Sequence, residues 1–246
     1  MSTTGSTGYQ RPASARDALS MRSLLVVLVL VLTGAIAVTL LSPTSSAPTA
    51  TDRGVPEALP SPRLAGPLSL EEALQARRSI RSFSAQALMR TEIGQLLWAA
   101  QGVTDAAGHR TAPSAGALYP LELDVVTPDG VARYMPDEHG LAWRTTTDVR
   151  PLLRAAALDQ STVGEAPLVI VISGVVERTA TRYGARAQRY VDLEAGHAAQ
   201  NILLQAVSLG LGAVPIGAFD DAAVRRVLDL AQGEAPLYLI PVGHAR

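Results

Sequence analysis

The 246-residue chain contains no cysteine and no lysine. Without cysteine there is no disulfide, no thiolate nucleophile and no cysteine-ligated metal. Without lysine there is no Schiff-base chemistry, and a P-loop NTPase of the usual kind loses the side chain that reaches the phosphates. Every basic group is therefore Arg or His. A surplus of one charge is lacking as well. The formal net charge is −1, so nothing indicates nucleic acid or an acidic surface as a partner.

What is present divides into four stretches. Residues 1–23 are rich in Ser, Thr and Gly, with Arg11, Arg16 and Arg22 against Asp17 alone. Residues 24–41 carry no charge and as a helix span roughly 27 Å, close to a bilayer core. That run exceeds the apolar core of about 7–15 residues in a cleaved signal peptide, so an uncleaved transmembrane helix is expected. Basic residues before it set the N-terminus in the cytoplasm and the rest outside, a single-pass cell-membrane protein. Residues 42–67 form a Pro/Ser/Thr-rich tether without periodicity. Residues 68–246 remain for one folded domain, enough for a sizeable core.

Within that domain the chain is organised around Tyr190 to Gly212. Leu193, Ala195, Ala198, Ala199, Ile202, Leu203, Ala206, Val207 and Leu209 place apolar groups around most of a helix, which predicts a buried one. A polar line of Glu194, His197 and Asn201 interrupts it at spacings of three and four. Internal hydrogen bonds and a functional stripe both explain such a line. Glu194 and His197 are two ligands at most, and two make no metal site, so no metal is assigned.

Around this helix, Ser69-Leu-Glu-Glu72 is a capping box opening a helix to about Arg77. Ile93, Leu96, Leu97 and Ala100 mark a second helix closed by Gly102. Leu121, Leu123 and Val125 alternate with Glu122 and Asp124 as in a half-buried strand, and Pro128-Asp129-Gly130 turns it into a hairpin. Pro167 to Ser173 reads as a buried strand, Asp220 to Leu230 as a helix and Pro236 to Val242 as a last strand. Helices and strands intermix, so the fold class is α+β around one mixed, mostly antiparallel sheet.

Three loci could carry chemistry. Arg77, Arg78, Ser79 and Arg81 set three guanidiniums and a hydroxyl at a helix end, either an anion grip, since Arg forks match phosphate and carboxylate, or a solvated basic turn. The small-residue loop Pro113-Ser-Ala-Gly-Ala-Leu-Tyr-Pro120 lets backbone approach a flat ligand, or is an ordinary surface loop. Gly210-Leu-Gly212 with Pro215-Ile-Gly217 is a weaker glycine signal of the kind that ends many helices.

RRSIRSF, PSAGALYPLE, YGARAQRYVDLEAGHAAQNILLQAVSLGLG and VPIGAFDD, in that order, resemble the nitroreductase superfamily of flavoproteins across residues 68–246. They look most like its SagB-type branch, which includes azoline dehydrogenases acting on modified peptides. The resemblance implies FMN at the interface of a two-fold homodimer, each site drawing on both subunits. It implies that Arg77, Ser79 and Arg81, in the cluster with Arg78, hold the ribityl phosphate and the pyrimidine edge. Pro113, Ser114, Ala115 and Gly116 would cover the ring from the partner subunit. Pro215, Ile216 and Gly217 would present backbone near N5, and Gly243 and Arg246 match a second phosphate contact. The protein then holds and tunes a cofactor that carries the redox chemistry. Azoline-oxidising members carry a Lys-Tyr pair thought to deprotonate substrate, which aligns with Arg182-Tyr183. Arginine stays protonated and is a poor base, which leaves Tyr183 as the proton-passing group and counts against azoline oxidation. The reading is therefore an FMN-dependent oxidoreductase transferring hydride to or from the flavin, with a small molecule or a modified peptide as substrate. The alternative is an interaction module that kept the fold, with or without flavin, but has no turnover.

Overall fold

The computed structural model describes residues 56–246. The N-terminal tail and the expected transmembrane run at 24–41 lie outside the described residues, as does the first part of the tether. The expected single-pass membrane placement is corrected here: among the described residues no helix is long and apolar enough to cross a membrane.

Seven strands form one sheet, in the order β1-β4-β3-β2-β5-β7-β6. In chain order the elements are β1 (Glu57–Ala58), α1 (Leu70–Ala76), α2 (Arg90–Gln101), β2 (Leu121–Thr127), β3 (Gly130–Met135), β4 (Gly140–Thr145), α3 (Arg150–Ala156), α4 (Ser161–Glu165), β5 (Leu168–Val175), α5 (Val176–Tyr183), α6 (Ala187–Ser208), β6 (Gly212–Ala213), α7 (Asp221–Val227) and β7 (Glu234–Gly243). Every pair of adjacent strands is antiparallel, so the expected α+β class holds. The sheet is less mixed than expected, and among the described residues its one parallel contact is the isolated bridge Ser79–Ala213.

Period-two alternation explains why the sheet lies between two helical layers. Along β5, Leu168, Ile170 and Ile172 pack with α2 and α6 on one face, while Val169 and Val171 pack with α3, α4 and α7 on the other. A strand covered on both faces reads as a continuous apolar run, and PLVIVIS is such a run. At the β2–β3 turn, Thr127 pairs with Gly130. Gly130 has φ +132°, and a Cβ there would stand 2.0 Å from the Thr145 carbonyl oxygen, so the position requires glycine.

The capping box is present: the Glu72 amide donates to Ser69 Oγ at 3.1 Å and the Ser69 amide to Glu72 Oε2 at 2.7 Å. The segment read as a tether contributes more than a tether. Glu57–Ala58 pairs with β4, and Leu59, 8% exposed, joins the core.

Two expectations change. The long helix α6 buries one side only: Val191, Ala195, Ala198 and Ile202 meet the sheet, while Leu193 is 51% exposed. The predicted polar stripe also divides. Glu194 is buried, His197 is exposed, and Asn201 donates to the Ala99 carbonyl at 3.0 Å, tying α6 to α2.

The second change lies in β2, which is buried on both faces apart from half-buried Glu122. Asp124 has no exposed surface and receives Arg133 twice, at 2.8 and 3.0 Å, and Arg144 at 2.7 Å. Arg133 also reaches Glu234 at 2.7 Å and Glu122 at 3.0 Å. Ser173 donates to Glu234. Burial raises the Asp124 carboxyl above its usual range, and Arg133 and Arg144 pull it back down.

Candidate functional site

The first group of site residues is set by an extended run after α1. The helix ends at Ala76, and the chain then lies against β6 and the C-terminal segment. Ile80 N–H donates to the Ala213 carbonyl at 3.1 Å, Ser84 N–H to that of His244 at 2.8 Å, and Arg246 N–H to that of Ser82 at 3.2 Å. Thr162 Oγ1 donates to the Arg81 carbonyl at 3.1 Å. Ile80 packs on the core and Phe83 is 1% exposed within it. Arg77, Ser79 and Arg81 lie along this run, which borders β6 through the bridge of Ser79 to Ala213. Arg77 is half-buried, and Ser79 and Arg81 are exposed.

Arg78 does not join them. Its guanidinium turns back to the carbonyls of Gln75 at 2.9 Å and Arg77 at 2.7 Å. A cation there satisfies the free carbonyls at the helix C-terminus. Gly243 is also a packing residue. It is buried, and a Cβ there would meet Phe83 and Pro167 at 2.9 Å. Arg246 is exposed and pinned through its backbone beside Ser82.

Pro215, Ile216 and Gly217 continue from β6. Ile216 exchanges both backbone bonds with Leu239, at 2.8 and 2.9 Å, so its amide and carbonyl face β7. Proline has no N–H. The Gly217 amide is the donor this stretch can offer a ligand, and no heavy atom lies within 4 Å of where a Gly217 Cβ would stand.

The second group lies where the chain enters β2, three strands away from β6 in the sheet order. Pro113 is exposed, while Ser114 and Ala115 are half-buried. Gly116 (φ +65°), Ala117 (φ +53°) and Tyr119 (φ +44°) are left-handed. A Cβ on Gly116 would stand 3.0 Å from the Tyr183 hydroxyl and 3.1 Å from Arg182 Nη1. The loop thus meets the end of α5 within one chain, and Tyr183 stacks edge-on against Tyr190, with ring centroids 5.0 Å apart.

Two residues near this loop escaped the sequence reading of the site. Arg110 lies 4.4 Å over the Tyr119 ring and donates to Gln101 Oε1 at 3.1 Å. Its only signal was its place four residues before Ser114. Glu194 stood out as one of a stripe, not as a neighbour of this loop. Burial pushes its carboxyl up to about 7, while the Ser114 hydroxyl and the Arg110 guanidinium favour the charged form.

The family model of the nitroreductase family matches residues 74–244. A protein of Methanocaldococcus jannaschii, provisionally named a nitroreductase, is 44% identical over 182 residues, covering 72% of this chain and 91% of that one. A solved structure from Ralstonia eutropha, named in the same provisional way, is 29% identical with a TM-score of 0.69, covering 78% of this chain and 95% of the other. The NADPH:FMN oxidoreductase of Vibrio harveyi, solved with NAD+, is 26% identical with a TM-score of 0.55, covering 72% and 68%. Fold and relatives together define a flavin-dependent oxidoreductase in the general sense. The chain belongs to the nitroreductase family.

Proposed function

We propose that this protein is an FMN-dependent oxidoreductase working as a two-fold dimer on a small molecule or a modified peptide. The observation that carries the reading is the edge formed by the 77–83 run and β6, which carries Arg77, Ser79 and Arg81 while Arg78 turns back onto the end of α1. Two guanidiniums and a hydroxyl at that spacing suit a phosphate, and they suit FMN's single phosphate without requiring a second nucleotide. When bound, FMN supplies the two-electron chemistry, exchanging a hydride at N5. The Gly217 amide, just after β6, would donate to the ring, and Arg81 would favour negative charge at its pyrimidine edge. Tyr183 places its hydroxyl beside Gly116, and the Arg182 guanidinium lies next to it. That arrangement supports the SagB-type resemblance in shape but not a lysine-like base. The name of the Vibrio harveyi relative makes a nicotinamide the electron donor to try first.

The full-length protein is expected to purify with a yellow flavin spectrum and to release FMN, not FAD, on denaturation. A colourless protein that takes up no added FMN sinks the proposal and leaves a module without turnover.

The loop at Ser114–Gly116 leads into the central strand β2, three strands from the edge strand β6 beside the arginines, and the reading draws the two from different subunits. Exposed leucines support an interface between copies: Leu68 at 39%, Leu70 at 61% and Leu74 at 52% on and before α1, and Leu193 at 51% on α6. A cleft of about 290 Å³ between α1, α2 and α6, lined by Leu70, Trp98 and Leu204 among others, lies beside the first three. Sedimentation equilibrium is expected to give twice the chain mass of 25.7 kDa. A monomer that retains its flavin would contradict the shared site.

A further inference from the structure

A small polar cavity lies between the end of α2, strands β2 and β3, and α5. Gln101, Arg110, Glu122, Tyr134 and Arg178 are among the residues that line it, and its volume is about 40 Å³. That space holds about three waters or one carboxylate head. Burial grades across it. Gln101 is 1% exposed, whereas the Arg178 side chain is 43% exposed, so Gln101 forms the inner end and Arg178 the outer one.

The inner end is a donor. Gln101 Oε1 accepts from Arg110 at 3.1 Å. Arginine has no acceptor, so that bond fixes which way the amide points. Its Nε2 is then buried, and among the described residues it has no hydrogen-bond partner. A buried donor left unanswered costs free energy. The polar neighbours do not answer it. The Tyr134 hydroxyl bonds His139 Nδ1 at 2.9 Å, and the two Glu122 oxygens are covered by Arg178 and Arg133.

Charge decides between a water and an anion. Beside the cavity, Glu122, Asp124 and Glu234 are matched by Arg133, Arg144 and Arg178, three carboxylates to three guanidiniums. Arg110 is left over. Among the described residues it forms no ion pair, and it meets only Gln101 and the face of Tyr119. Most of its N–H donors remain free, and a guanidinium fork presents two parallel donors to a carboxylate.

We propose that this cavity is a carboxylate-binding site, in which the ligand takes the Gln101 Nε2 hydrogens, lies between Arg110 and Arg178, and neutralises Arg110. The ligand is a small free carboxylate, or the carboxylate end of a longer molecule whose remainder leaves past Arg178. The same two arginines hold Tyr119, whose backbone is left-handed: Arg110 covers its ring, and Arg178 donates to its carbonyl at 3.1 Å. Occupancy therefore steadies the 114–119 turn. The relevance of that turn to catalysis rests on the flavin reading above, but the site itself does not.

Acetate is the probe, added to the full-length protein at constant ionic strength with chloride as the balancing salt. In protein labelled with nitrogen-15 glutamine, the Gln101 side-chain amide signals are expected to shift and saturate. Broadening of carbon-13 acetate measures the same binding in variants. Gln101→Glu keeps a partner for Arg110 but supplies the negative charge itself. It should weaken acetate ten- to a hundredfold, the loss of one charge-assisted hydrogen bond, and Arg110→Gln should do the same. Arg226→Ala, at an exposed position on α7, should leave binding unchanged. Amide signals that acetate does not move would mean that water fills the cavity, and would overturn the proposal. Equal affinity for chloride, or undiminished binding in Gln101→Glu, would overturn it too. The first of these readouts needs no variant, so it decides even where a variant does not fold. Benzoate separates the two sources of ligand. If both acids move the Gln101 signals, the site takes the end of a longer molecule; if acetate alone does, it takes a free small anion. Failure of the protein to bind FMN would remove the flavin reading and leave the acetate titration standing.

Discussion

Arg133→Met is expected to lower the free energy of unfolding by about 3 kcal/mol at pH 7.5, the low end of the range for breaking a buried pair by removing one partner. Arg133 is the shared cation of three carboxylates, Asp124, Glu234 and Glu122, of which the first two have 0% and 3% side-chain exposure. Methionine matches much of the aliphatic stem, so lost packing is the smaller part of the effect. The larger part is the desolvated charge left on Asp124 and Glu234. Arg144 keeps one contact to Asp124 at 2.7 Å, and Ser173 still donates to Glu234, which is why the low end applies. The pH dependence identifies the cause. Burial already raises the Asp124 carboxyl, and Arg133 opposes that rise. Without Arg133 the rise is larger. A carboxyl raised in the folded state gives stability that is present below its unfolded value and lost as pH climbs through its folded value. The variant should therefore lie closest to the parent near pH 4–5 and furthest from it above neutrality. Urea unfolding at pH 5 and 7.5 measures both. An equal loss at the two pH values would assign the effect to packing, not to charge.

This network also shows what the sequence could and could not disclose. Glu122 and Asp124 alternate with apolar residues in β2, and alternation alone reads as one wet face. The face is dry because helices cover both sides of the sheet and because Asp124 stands opposite Arg133 on β3. That pairing follows by counting back from the two-residue turn at Pro128-Asp129, so it was legible once the hairpin was accepted. The involvement of Glu234, 101 residues further along, was not. Elements with local stop and start chemistry were legible: the Ser69–Glu72 box, the Asp220 cap, whose side chain accepts the Ala223 amide at 2.9 Å, and the all-apolar β5. Elements held by distant partners were not. Edge strand β1 has only two residues and exists through β4. Helix α5, VERTATRY, has only a short apolar stripe of Val176, Ala180 and Tyr183 and is fixed by packing on α6 and by Arg178 bonding Glu122.

The site divides in the same way. Residue types pointed to an anion grip at Arg77–Arg81, but a cluster within five positions does not show which members are already engaged by the protein. The structure separates Arg78, whose guanidinium is held by the carbonyls of Gln75 and Arg77. The division of the α6 stripe, with Glu194 inward and His197 outward, depends on which neighbours α6 packs against.

Alanine in place of Arg77 or Arg81 is expected to weaken FMN binding ten- to a hundredfold, since one charge-assisted hydrogen bond is worth about 1.5–3 kcal/mol. The structure sharpens this test by supplying graded controls. Arg78 lies between the two in sequence, yet its guanidinium is spent on the carbonyls of Gln75 and Arg77. Arg78→Ala should cost the helix end some stability and change FMN affinity by less than threefold, about 0.6 kcal/mol. Arg225 is a poor surface control, because it bonds the backbone carbonyls of Glu234 and Ala231. Arg226, exposed on α7, serves instead and should leave affinity unchanged. A solvated basic turn attracting phosphate by charge alone makes a different forecast: all three arginines of the cluster would contribute alike, and raising the salt would abolish the differences. Fluorescence titration of FMN at two ionic strengths reads out both forecasts. The ranking of Arg77 and Arg81 above Arg78, surviving at high salt, is the outcome that an oriented grip requires, because only directed hydrogen bonds distinguish neighbours of equal charge.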